Sequence, residues 1–157
     1  MSTLPQPGKK APAFSGPTQT GETVTLKHLL AFGKPVVLFF YPKDDTPGCT
    51  TEACGFRDAY GKLKEKATLL GVSPDSAKSH AKFAEKFSLP YPLLADEEKK
   101  VVEDYGVWVE KSMYGKTYMG VARTTFVIGT DGKIAKVFEK VKPDGHADEV
   151  LAAVEAL

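Results

Sequence analysis

Two cysteines, Cys49 and Cys54, stand five positions apart in a chain of 157 residues that holds no others. A domain of this size builds its core without a disulfide, so two thiols this close point to reactivity rather than to a structural staple. Immediately upstream runs Pro42-Lys43-Asp44-Asp45-Thr46-Pro47-Gly48-Cys49. Thr46 offers an N-cap hydroxyl and Pro47 suits a first helical position, which sets Cys49 in the opening turn of a helix. Unpaired backbone N–H groups and the positive end of the helix dipole stabilise an anion there, so the thiol is expected to ionise readily. Lowering a thiol from about 8.5 to about 6 raises its thiolate fraction at pH 7 from a few per cent to about 90%, a gain of about 30-fold. Ionisation alone is therefore a modest accelerator. Rapid attack on a bound electrophile also needs donors that align it and take up charge on the departing group.

Two residues answer that need. Thr46, three positions before Cys49, can aim its hydroxyl at a bound oxygen. Arg123 is one of two arginines among 21 basic residues, and its planar, always-charged fork suits a thiolate and an oxygen substrate beside it better than a flexible ammonium does. Cys54 lies at i+5, where a regular helix separates the Cα atoms by about 8.6 Å. That exceeds the bridging limit of about 7 Å, so a disulfide between the two would require the first helical turns to unwind.

The elements that must hold these residues follow from patterning. A Pro-rich lead precedes a hairpin about residues 18–26 and a short helix at 28–32. Residues 36–41 form a continuous β-branched and aromatic run, the pattern of a strand buried on both faces at the centre of a largely parallel sheet. Pro42 stops it, and a helix is predicted from 47 to 66. Residues 67–72 read as a strand, 73–87 as a helix opened by Ser73-Pro74-Asp75, 93–94 as a short strand and 97–105 as a short helix. Strands at 121–128 and 134–141 are joined by Gly129-Thr130-Asp131-Gly132, and a helix closes the chain from 146 to 157. Strands alternating with helices give a single α/β domain over residues 1–157, a mixed central sheet flanked by helices with an N-terminal β-hairpin extension.

Composition excludes other classes. With 21 basic and 20 acidic residues the net charge is +1, which provides no general attraction to nucleic acid or to an anionic membrane. The longest apolar run, residues 36–41, is too short to span a bilayer. The lead carries Lys9 and Lys10 but is broken by Pro5, Pro7 and Pro12 with no signal-like core after it. The chain is therefore expected to be soluble and cytoplasmic, unless a targeting segment preceded this start. His28, His80 and His146 are widely separated, and neither they nor the cysteines approach a zinc-ligand spacing, so they take surface or packing roles. Tyr105, Trp108, Tyr114 and Tyr118 are expected to pack under a long loop, and the Lys-rich stretch 133–142 to form the solvated face of a strand.

The segment from Pro42 to Cys49 resembles the P-x-x-x-T-x-x-C signature of the peroxiredoxins, and Cys54 at the fifth following position resembles the subgroup called bacterioferritin comigratory protein, or PrxQ. The similarity extends through Gly71-Val72-Ser73-Pro74-Asp75, residues 80–96, Arg123-Thr124-Thr125-Phe126 and residues 145–151. It implies a thioredoxin-like fold, with Cys49 as peroxidatic and Cys54 as resolving cysteine. It also implies that Pro42, Thr46 and Arg123 complete the peroxide pocket, with Glu52 helping to orient the arginine. Hydroperoxides would be the substrates and thioredoxin or a similar dithiol protein the electron donor, with no metal, haem, flavin or other cofactor. A resolving cysteine on the same chain removes the need for a partner subunit, and with no exposed apolar strand evident the expectation is a monomer. Two rivals stay open at this level: a thiol-disulfide oxidoreductase, against which the four-residue spacing between the cysteines argues, and a redox sensor that passes oxidation of Cys49 to a partner.

Overall fold

The continuous apolar run becomes β3 (Val36–Phe40), every residue of which is buried. The computed structural model describes residues 4–157, leaving the first three residues of the Pro-rich lead outside. Successive side chains of a strand point to opposite faces, and here each face has its own core. Val36, Leu38 and Phe40 join one cluster with Leu70, Val72 and Phe126. Val37 and Phe39 join the other with Phe56, Leu63 and Phe83. A strand covered on both sides has no polar alternation to keep, which is why its sequence reads as unbroken.

Before it stand β1 (Ser15–Pro17), β2 (Thr23–Thr25) and α1 (Leu26–Leu30). The first two pair antiparallel, Gly16 opposite Val24. After β3 come α2 (Pro47–Lys66), β4 (Thr68–Ser73), α3 (Ala77–Phe87), β5 (Leu93–Ala95) and α4 (Lys100–Asp104). The chain continues through β6 (Trp108–Met113), β7 (Lys116–Val121), β8 (Thr124–Ile128), β9 (Ile134–Phe138) and α5 (His146–Glu155). The five-stranded sheet has the order β5-β4-β3-β8-β9. β3, β4 and β5 run parallel, whereas β8 is antiparallel to both β3 and β9. Residues of α2, α3 and α5 fill the cluster on one face, and residues of α1 and α4 the cluster on the other. Among the described residues no helix is long and apolar enough to cross a membrane.

The structure departs from the sequence reading in several places. The strand expected over 121–128 is two strands in different sheets, parted at Ala122 and Arg123; the Ala122 N–H donates to the Val107 carbonyl at 2.7 Å. The expected long loop is the β6–β7 hairpin, a two-stranded sheet of its own. Tyr105 is buried in the core, but Tyr114 is 97% exposed, and Tyr118, Met113 and Met119 are also exposed, so this ribbon carries apolar side chains into solvent where none was expected. Helix α3 starts at Ala77 because Ser76 caps it by accepting the Ser79 N–H. Helix α4 starts at Lys100, its Val101 and Val102 N–H groups donating to the Asp96 carboxylate.

Candidate active site

Helix α2 begins just beyond the end of the central strand, at the carboxyl edge of the sheet, where α/β folds place their sites. Pro47 opens it. The first intrahelical bond runs from the Thr50 N–H to the Thr46 carbonyl at 2.8 Å, so the N–H groups of Gly48 and Cys49 precede the hydrogen-bonded ladder and add to the positive helix end. Thr46 occupies the N-cap position but its side chain caps nothing. Its hydroxyl donates instead to the Lys43 carbonyl at 2.9 Å, which leaves the oxygen able only to accept and corrects the expected cap. Half-buried Pro42 lies on the same loop, directly after the buried Tyr41.

Cys49 is 1% exposed, and its sulfur accepts a hydrogen bond from Arg123 Nη2 at 3.3 Å. The other terminal nitrogen, Nη1, donates to Glu52 Oε1 at 2.8 Å. One planar fork thus spans a thiol and a carboxyl, a geometry that a lysine ammonium cannot reproduce. Arg123 reaches the sulfur over Gly48, where a Cβ would sit 3.1 Å from Nη2 and 3.5 Å from Pro143 Cγ. Gly48 is therefore a site residue that the sequence reading passed over, although it lies within the motif. Burial works against the guanidinium charge, but Glu52 and Cys49 outweigh it and hold Arg123 above its ordinary value.

Glu52 is as buried as Cys49, and its Oε2 is the one buried side-chain polar atom among the described residues without a hydrogen-bond partner. Burial pushes the Glu52 carboxyl up to about 7 despite the opposing Arg123. On β6, Lys111 is lowered by burial and by Arg123, with Cys49 opposing, which places a second basic group within the field of the site.

Cys54 is half-buried, and both cysteines are free thiols. Five helical steps turn it by about 140° from Cys49, so the two sulfurs leave α2 on different sides. Cys54 lines a groove of about 600 Å³ between α2 and α5, together with Thr51, Gly55, Pro143 and Ala147. Fully buried Tyr91 fastens the helix between the cysteines by donating its hydroxyl to the Ala53 carbonyl at 2.7 Å. The structure thus gathers Cys49, Arg123 and Glu52 in direct contact, sets Thr46 and Pro42 on the adjoining loop, and holds Cys54 apart. The contacting trio can stabilise a thiolate and present donors to an oxygen approaching it.

Residues 7–137 match the model of the AhpC/TSA family. The chain is 52% identical over 145 residues to a putative peroxiredoxin bcp of Coxiella burnetii, covering 92% of this chain and 95% of that protein. A PrxQ cysteine-to-serine mutant from Xylella fastidiosa superposes with a TM-score of 0.91 at 33% identity, over 99% of this chain and 98% of the other. The Xanthomonas campestris bacterioferritin comigratory protein, solved to study its alkyl peroxide reduction activity, superposes with a TM-score of 0.87 at 37% identity, over 99% and 98% of the two chains.

Proposed function

Since the chain belongs to the AhpC/TSA family, as a peroxiredoxin of the Bcp and PrxQ type with the thiol-dependent peroxidase activity of that group, we propose that Cys49 is its peroxidatic and Cys54 its resolving cysteine. The observation that carries the assignment is the Arg123 fork, which touches the Cys49 sulfur at 3.3 Å while Glu52 holds its other arm. The Cys49 thiolate attacks the terminal oxygen of a hydroperoxide, and the O–O bond breaks. The leaving oxygen takes a proton and departs as water or an alcohol, and Cys49 becomes a sulfenic acid. Arg123 and the first-turn N–H groups stabilise the charge that moves across the peroxide, the Thr46 oxygen, whose hydrogen goes to the Lys43 carbonyl, accepts from the peroxide hydroxyl, and Pro42 closes the pocket beside them.

The first turns of α2 then unwind, and the Cys54 sulfur displaces the sulfenic oxygen as water to give the disulfide. Thioredoxin or a similar dithiol protein of the cytoplasm returns both thiols. Hydrogen peroxide and organic hydroperoxides are the substrates, the latter supported by the alkyl peroxide activity for which the Xanthomonas campestris protein was studied. The cycle closes within one chain, so a monomer suffices.

The test is peroxide consumption with thioredoxin recycling for the wild type, Cys49→Ser and Cys54→Ser, with intact mass recorded after one peroxide equivalent. Cys49→Ser is inactive, the wild type loses about 2 Da, and Cys54→Ser gains one oxygen but recycles poorly. Peroxide consumption by Cys49→Ser at the wild-type rate refutes the assignment and moves the thiol-disulfide oxidoreductase reading forward.

A further inference from the structure

The loop that delivers Cys49 is gripped by a buried polar cluster in which neither cysteine takes part. Its centre is the Asp44 carboxylate, 7% exposed. Oδ1 accepts the Tyr41 hydroxyl at 2.7 Å. Oδ2 accepts the Ser79 hydroxyl at 2.8 Å and lies 2.7 Å from His80 Nδ1. His80 is wholly buried, and its Nε2 faces the Leu94 carbonyl at 2.9 Å. A carbonyl can only accept, so Nε2 carries a hydrogen. The short contact between Nδ1 and a carboxylate that already accepts two hydroxyls holds a further proton between them. Every polar atom of the pair is thus engaged, the condition under which a buried polar network rigidifies its surroundings.

The backbone of the same residue is fixed as well, since the Asp44 N–H donates to Asp75 Oδ2 at 2.8 Å. Asp44, Asp75 and His80 bring candidate ligand atoms within 4.8 Å of one another, but hydrogen bonds already occupy the atoms that face each other, so the cluster works as a clamp. The clamp has something to hold. Asp45 adopts φ 54, a left-handed conformation that an Asp visits as a single residue and that its fixed neighbour Asp44 helps to hold here. Thr46 follows directly, three positions before Cys49.

We infer that Asp44 and His80 form a positioning pair for the reaction of Cys49, holding residues 42–48 so that the Thr46 hydroxyl and the first-turn N–H groups face the peroxide. The inference rests on the peroxidase assignment. It separates two properties of Cys49: peroxide attack needs aligned donors, whereas alkylation needs only an accessible thiolate.

In the Cys54→Ser protein, the rate constants of Cys49 with hydrogen peroxide and with iodoacetamide are measured for the parent and for Asp44→Ala, Asp44→Asn and His80→Gln. Asp44→Ala lowers the peroxide rate by about 10- to 100-fold while alkylation changes by less than about 3-fold. Asp44→Asn, whose amide can donate to a neutral His80 and accept from Tyr41, recovers most of the loss. An unchanged ratio of the two rates in folded Asp44→Ala overturns the inference and leaves the assignment of Cys49 intact. If Asp44→Ala does not fold, His80→Gln decides, because its single amide cannot bridge both Asp44 and Leu94: the ratio falls, or the inference is wrong. A Cys54→Ser parent inert to peroxide would instead defeat the functional reading itself.

Discussion

Replacing Glu52 by Gln puts a permanently neutral amide at a position that is 1% exposed and where one oxygen of the native carboxyl has no hydrogen-bond partner. Burial carries this carboxyl from its usual 4.5 up to about 7. Between those values the folded chain keeps a proton that the unfolded chain has released. Stability from this group is therefore fully present below about pH 4.5 and is lost as pH rises through about 7. The full loss is about 3 kcal/mol. The assay is urea unfolding of Cys49→Ser and of Cys49→Ser/Glu52→Gln, a background without a thiolate competing for Arg123. From about pH 5 to about pH 8 the Gln protein gains about 2 to 3 kcal/mol relative to its parent. A difference that stays level across this range refutes the reasoning, since it would mean that Arg123 compensates the burial in full and that Glu52 is ionised throughout.

Arg123→Lys cannot bond Cys49 and Glu52 with one planar group, and kcat/KM for hydrogen peroxide falls by about 10²- to 10³-fold in a steady-state recycling assay. Gly71→Ala forces a Cβ to within 2.7 Å of Leu93 Cδ2 and 2.8 Å of Phe39 Cζ, and chemical denaturation shows a loss of about 1–3 kcal/mol. Oxidation by one peroxide equivalent removes about two turns of helical signal in far-UV circular dichroism, and a dithiol restores it, because an intact α2 keeps the cysteines beyond the bridging limit. Treatment with a chelator followed by gel filtration leaves the peroxide rate unchanged, and loss of activity would contradict a thiol-only mechanism.

Much of the site was legible because it is local. Pro47 at the start of a helix, a strand buried on both faces before it and two cysteines within one helix are all patterns of adjacent residues. The contact between Arg123 and Cys49 spans 74 positions, and no spacing rule encodes it; the family resemblance supplied it. His80 meets Asp44 across 36 positions and carries no periodic signal of its own, so the sequence assigned it only a surface or packing role. The β6–β7 hairpin escaped notice because both its faces are largely exposed, so the alternation that marks a half-buried strand is absent. The break at Ala122 and Arg123 is invisible to propensity, since both flanking segments favour strand and only pairing with different neighbours separates them. Thr46 shows the opposite error: its type and position announce a cap, but the nearby Lys43 carbonyl takes its hydroxyl.

The tip of the β6–β7 ribbon gives the molecule an engineering handle. Met113 pairs with Lys116, so the loop between them has two residues. Tyr114 and Gly115 there have φ of 52 and 77, the signs of a type I′ turn. Tyr114 stands almost fully in solvent, and nothing lies within 4 Å of a Cβ placed on Gly115. An epitope inserted there, or new chain termini opened between these residues, would meet no packed atoms and leave both cores intact. Because β7 leads within two residues of its end to Arg123, a fluorophore at the tip would be joined to the chemistry through a single strand.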